Sequence, residues 1–114
     1  MSGSERRTDP RVDLKVPISF RPITRPASEE QQGESVNVSK RGVYMATSFP
    51  LKVGTEIELE MRIPKELWGT VASEVHCTAR VVHIQPNTFL GGRAGVGLRI
   101  ERYERFNRGD RWAN

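Results

Sequence analysis

Glu56-Ile57-Glu58-Leu59-Glu60-Met61-Arg62-Ile63 alternates without a break between charged and apolar side chains. Successive side chains of a β-strand point to opposite faces, so this octet presents one apolar face and one charged face. Pro64 offers no backbone donor and ends the strand. The same rule recurs on either side. Val75, Cys77, Ala79 and Val81 alternate with Glu74, His76, Thr78 and Arg80, and the phase slips at Val82–Ile84, as a β-bulge would make it. Val96, Leu98 and Ile100 alternate in a last strand, with Gly95 and Gly97 between them. Upstream, Val12, Leu14, Val16, Ile18 and Phe20 recur at period two, and Pro17 falls on the polar phase, which suits an edge or a bulge.

Connections fill the rest. Residues 24–35 read as a polar, mobile loop, followed by a short strand over Ser35–Val38. Ser39-Lys40-Arg41-Gly42 is a tight turn, and Val43–Thr47 is extended again. Pro50–Gly54, a segment around Trp68 and Gly69, and Pro86–Arg93 with its Gly91-Gly92 pair are further connections. Tyr103 and Phe106 lie three apart, which predicts a short helix over 101–108 with Gly109 as its cap. Five or six short strands with regular turns predict a small antiparallel barrel.

At 114 residues the chain makes one small domain. Apolar residues are 36% of it, a low share that predicts polar ends around a modest core. The net charge of +4 is unevenly spread. Residues 1–25 hold six basic and three acidic side chains, and residues 99–114 hold five and three; the centre is near neutral. Basic ends suit an anionic partner. Cys77 is the single cysteine, which excludes an internal disulfide and argues against a thiolate zinc site. No apolar run reaches the length of a membrane span, and the first eleven residues lack the apolar core of a signal peptide, so the expectation is a soluble, cytoplasmic protein.

Two motifs carry chemistry. Arg6-Arg7-Thr8-Asp9-Pro10-Arg11 precedes the first strand. In an extended segment Arg7 and Arg11 point to the same side, roughly 13 Å apart, and can grip two parts of one flat, doubly charged ligand. The guanidinium fork bonds bidentately to phosphate or to the O6/N7 edge of guanine, and it stacks on a base. Asn37-Val38-Ser39-Lys40-Arg41-Gly42 is the second motif. Asn37 and Ser39 fall on one face and both donate and accept hydrogen bonds. Gly42 permits close approach to its backbone. Taken alone, either motif reads as a solvated basic arm or an ordinary turn.

In this order, with a strand and a loop between them, Arg7-x-x-x-Arg11 and Asn37-x-Ser39-x-x-Gly42 resemble the PilZ domain family. Gly95-Val96-Gly97-Leu98-Arg99-Ile100 is similar to the family's late Gly-x-Gly strand, and the likeness runs from about Glu5 to Ile100. The resemblance implies an all-β fold, a small six-stranded antiparallel barrel. With the residue patterns it gives a flexible basic arm at 1–11, a barrel at 12–101, and a short C-terminal helix and tail at 102–114. It implies binding of the bacterial second messenger cyclic di-GMP, no catalysis and no metal or other cofactor. Arg7 and Arg11 would hold guanine and phosphate, Asn37 and Ser39 would meet a guanine edge, and Gly42 would close the turn. Arg6 would favour a stacked pair of ligands, and Arg99 would add a phosphate contact or pair with a nearby glutamate. Asn37 stands where the family more often has Asp; lacking that charge, it should bind more weakly.

Ligand binding would order the arm and present a new surface to a downstream protein partner. Two other readings compete: a single-stranded nucleic-acid binder and a ligand-independent interaction barrel. Few aromatics, and none interleaved with the arm, count against the first. The intact motifs count against the second. His76 and Cys77 are neighbours on a strand and face opposite ways, which is poor metal-ligand geometry. Glu56, Glu58 and Glu60 have no nucleophile or base beside them, so no enzyme site assembles.

Overall fold

The computed structural model describes residues 11–23, 29–63 and 73–108, except for the side chains of 63, 73 and 105–108. The expected arm at 1–10, with Arg6 and Arg7, lies outside the described residues, as do the Trp68 segment and the tail from Gly109. Seven strands follow in order: β1 (Val12–Asp13), β2 (Pro17–Pro22), β3 (Gln31–Val38), β4 (Gly42–Thr47), β5 (Glu56–Ile63), β6 (Ser73–Gln85) and β7 (Ala94–Arg108). They hydrogen-bond in the order β1-β3-β2-β5-β6-β7-β4, and β4 returns to β3. That last pairing closes β3-β2-β5-β6-β7-β4 into a six-stranded barrel, every pair antiparallel. β1 lies outside the ring count, paired to the far end of β3.

The alternating octet behaves as its sequence dictates. Ile57, Leu59 and Met61 are buried, while Glu56, Glu58, Glu60 and Arg62 take the outer face. They meet Ile18 and Phe20 of β2 and Val75, Cys77, Ala79 and Val81 of β6, with Val38, Val43, Met45, Val96 and Leu98 completing the interior. Outside, Arg80 ties three strands together, donating to Glu56 and Glu101 at 2.8 Å each.

The strand expected over Val12–Ile23 is split. Asp13 pairs with Asn37 and Pro17 with Glu34, so the first strand spends one residue more than β3 over this stretch. The break is filled by Ser35, which is buried. Its hydroxyl donates to the Leu14 carbonyl and accepts from the Val16 amide at 2.9 Å. Pro17 follows at once, where a missing donor costs nothing further. The slip expected near Val82 is present: Val81 pairs with Leu98 but His83 with Gly97.

Two expectations are corrected. Residues 31–34 belong to β3 and not to the polar loop. Their inward position is Gly33, where a Cβ would come within 2.9 Å of the Met45 sulfur, so the core is filled from opposite and the segment itself shows no apolar residue. The C-terminal helix is absent over 102–108, which continues β7 as a strand. Inward positions of β6 at Val75, Cys77 and Ala79 pair with Phe106, Tyr103 and Ile100. A spacing of two thus meets a spacing of three, because Glu104 and Glu101 are each an extra bulge residue. Those two bulges reproduce helical periodicity in an extended chain. Long β6 supplies the backbone partners that hold β7 as a strand. Among the described residues, no helix is long and apolar enough to cross a membrane.

Candidate functional site

The turn between β3 and β4 is fixed by its own chain. Ser39 N donates to Gly42 O at 2.9 Å, and the Ser39 hydroxyl accepts from Gly42 N at 3.2 Å and Arg41 N at 3.3 Å. The end of β7 clamps it from the side: Ile100 N donates to Arg41 O at 2.8 Å and the Tyr103 hydroxyl to Lys40 O at 2.7 Å. A Cβ on Gly42 would sit 2.8 Å from the Leu98 carbonyl oxygen. Close approach of β4 to β7, and not a left-handed backbone, is therefore what requires glycine at this position.

Register then gathers the predicted side chains on one outer surface. Arg11 Nη1 donates to Asn37 Oδ1 at 2.9 Å, joining the end of the arm motif to the turn motif across 26 residues. Arg99 pairs with Gly42 in the β4–β7 ladder and keeps its side chain 60% exposed. Its nearest carboxylate among the described residues, Glu101 at 3.9 Å, is held at 2.8 Å by Arg80 instead. That guanidinium contact holds the Glu101 carboxyl below its usual range. Arg99 is thus left with a loose partner and a charge available to an anion. Arg11, Asn37, Ser39, Gly42 and Arg99 come together; Arg6 and Arg7 are outside the described residues.

The sequence reading missed two members of this surface. Asp13 pairs with Asn37 and is exposed on the same face. Tyr44 pairs with Asn37 from the other side and with Gly97 beyond. Its ring lies over Gly95, where a Cβ would fall 2.6 Å from Cζ, and its hydroxyl donates to Gln85 Oε1 at 2.6 Å. Gly95 in the late Gly-x-Gly strand thus makes room for an outer aromatic; the spacing of two was the available signal.

A concave pocket lies elsewhere. It measures about 630 Å³ and sits at the opposite end of β3–β4, between Gln31–Glu34, Ala46–Pro50 and Arg93. Arg93 is committed there to Glu34 at 3.4 Å and lies 6.0 Å from the Phe89 ring centre. Arg11, Asn37, Ser39, Gly42 and Arg99 do not line it. An anion needs available cations more than concavity, so the turn surface is the stronger candidate.

Burial, with a smaller push from the Glu104 charge, raises the Cys77 thiol to about 12, which leaves it protonated and inert. No group of three or more His, Cys, Asp or Glu side chains among the described residues could hold a metal ion.

A closed six-stranded antiparallel barrel with Arg11 and Arg99 beside one strand–turn–strand junction defines a small β-barrel module with a cation-bearing surface. The chain belongs to the PilZ domain family, whose sequence profile matches residues 5–108, a family of cyclic di-GMP receptor and adaptor domains. Among solved structures it is similar to the Bacillus subtilis inhibitor of motility, MotI/DgrA, with a TM-score of 0.68 and 18% identity. That match covers 85% of this chain and 43% of the other, so the chain spans less than half of that protein's length. No curated protein matches.

Proposed function

We propose that the module is a receptor for cyclic di-GMP that orders its N-terminal arm on the ligand and signals to a protein partner in the cytoplasm. The observation that carries this reading is the Arg11–Asn37 hydrogen bond, which unites two motifs separate in sequence. Arg7 and Arg11 grip guanine and phosphate from the arm. Asn37 and Ser39 meet a guanine edge, Arg99 adds a phosphate contact, and Arg6 bears on whether one ligand or a stacked pair is taken up. Arg11 is held against Asn37, and ligand binding extends this contact up the arm.

Titration calorimetry with cyclic di-GMP tests this on the wild-type chain and on Arg11→Ala. A hydrogen bond to a charged group contributes about 1.5–3 kcal/mol, so the variant should bind roughly 10- to 150-fold more weakly. Absence of binding heat in the wild type defeats the function. Equal affinity in Arg11→Ala defeats the residue assignment.

A further inference from the structure

We infer that Asp13, which belongs to neither motif, supplies the carboxylate that Asn37 lacks and so selects guanine over adenine. The inference rests on the cyclic di-GMP reading above. Asp13 is the cross-strand partner of Asn37 in the β1–β3 pair, so the two side chains leave the barrel on one face, about 5 Å apart at Cβ. Asp13 is exposed, and Arg11 stands two residues before it, at the end of the arm motif.

The hydrogen-bond inventory at Asn37 makes the case. Its Oδ1 accepts from Arg11 Nη1 at 2.9 Å, so the amide NH₂ is the group it turns to a ligand. That donor complements guanine O6. The neighbouring N1–H and N2–H donors of guanine then need an acceptor, and a carboxylate takes both. Two other described acceptors near the turn are engaged: the Ser39 oxygen by two backbone amides and Glu101 by Arg80. Asp13 is the carboxylate that register places beside Asn37. In the same pose adenine would set its N6 amino group against the Asn37 amide and its N1 lone pair against the carboxylate, a mismatch at both positions. The Asn for Asp exchange in the turn is thereby offset from β1.

Calorimetry with cyclic di-GMP and cyclic di-AMP on the wild type, Asp13→Asn, Asp13→Glu and Arg11→Ala tests the assignment. Asp13→Asn should weaken cyclic di-GMP binding about tenfold or more and narrow its preference over cyclic di-AMP, while Asp13→Glu keeps the preference. A plain charge effect has the opposite sign, since removing a carboxylate near a doubly anionic ligand tightens binding. Unchanged or tighter binding by Asp13→Asn, with Arg11→Ala weakened, overturns Asp13 and leaves the receptor reading standing. No binding by the wild type overturns both. Thermal melting of Asp13→Asn, expected to match the wild type, separates recognition from folding; should it melt early, loss of preference in Asp13→Glu becomes the result that overturns the assignment.

Discussion

The two ends of the β3–β4 pair differ in a way that separates shape from chemistry. At one end, Gln31–Glu34 and Ala46–Pro50 wall a pocket of about 630 Å³, but its cation, Arg93, is already matched to Glu34. At the other end, the Ser39–Gly42 turn is an open surface where Arg11 leans on an uncharged amide and Arg99 has, among the described residues, a 3.9 Å contact to a carboxylate engaged elsewhere. A pocket with internally satisfied charges offers an anion little. A flat surface with rigid backbone and underused guanidinium groups offers it a good deal.

The contrast can be broken at its strongest point first. Gly42→Val puts a side chain where the Leu98 carbonyl oxygen stands 2.8 Å away, forcing β4 off β7 beneath the turn. Overpacking of this kind costs about 1–3 kcal/mol or more. The melting temperature should fall by roughly 4–8 °C for each kcal/mol in a domain of this size, with ligand affinity falling alongside. A variant that melts like the wild type would mean the turn is not pinned as described. Ser35→Ala acts one step removed. It strips the Leu14 carbonyl and Val16 amide of a buried partner, at about 1–3 kcal/mol, and loosens the segment that places β1. Stability should drop, and cyclic di-GMP affinity should weaken without any ligand contact being touched; preserved affinity would free β1 from the site. The smallest effect belongs at the far end. Arg93→Ala should leave cyclic di-GMP affinity within about twofold, and a large loss would move the site to the pocket.

How much of this was legible in sequence depended on whether a residue's role is local. Ile57, Leu59 and Met61 announced β5 because a half-buried strand needs nothing beyond its own alternation. Asn37, Ser39 and Gly42 were readable for the same reason, since a turn is a local object. Residues 102–108 misled, because two bulges gave an extended chain the spacing of a helix and only the pairing with β6 reveals them. Residues 31–34 misled because Gly33 lets Met45 and Phe20 fill its place in the core. Asp13 was invisible as a site residue: its neighbourhood with Asn37 is created by the β1–β3 register, across the whole of β2, and carries no local signature.

The outer edge of β7 beyond Arg99 differs again from the turn. Among the described residues β4 pairs with β7 only as far as Arg99, and the bulge residues Glu101 and Glu104 follow. Bulges and charges are how sheet edges are kept from pairing with other chains. Glu104 is held below its usual carboxyl range, by hydrogen bonds from Thr78 first and Arg102 second, so it stays ionised at neutral pH. Its contribution to stability is complete above the unfolded carboxyl range and is lost as pH falls through the lower folded value.

The central claim is that the Ser39–Gly42 end binds the nucleotide and the pocket end does not. Amide NMR of the ¹⁵N-labelled chain during titration with cyclic di-GMP tests it most directly. Shifts concentrated at Arg11, Asp13, Asn37–Gly42 and Arg99, with Gln31–Gly33 and Ser48–Phe49 unmoved, are the predicted result. Shifts confined to Gln31–Glu34, Thr47–Phe49 and Arg93 would contradict it.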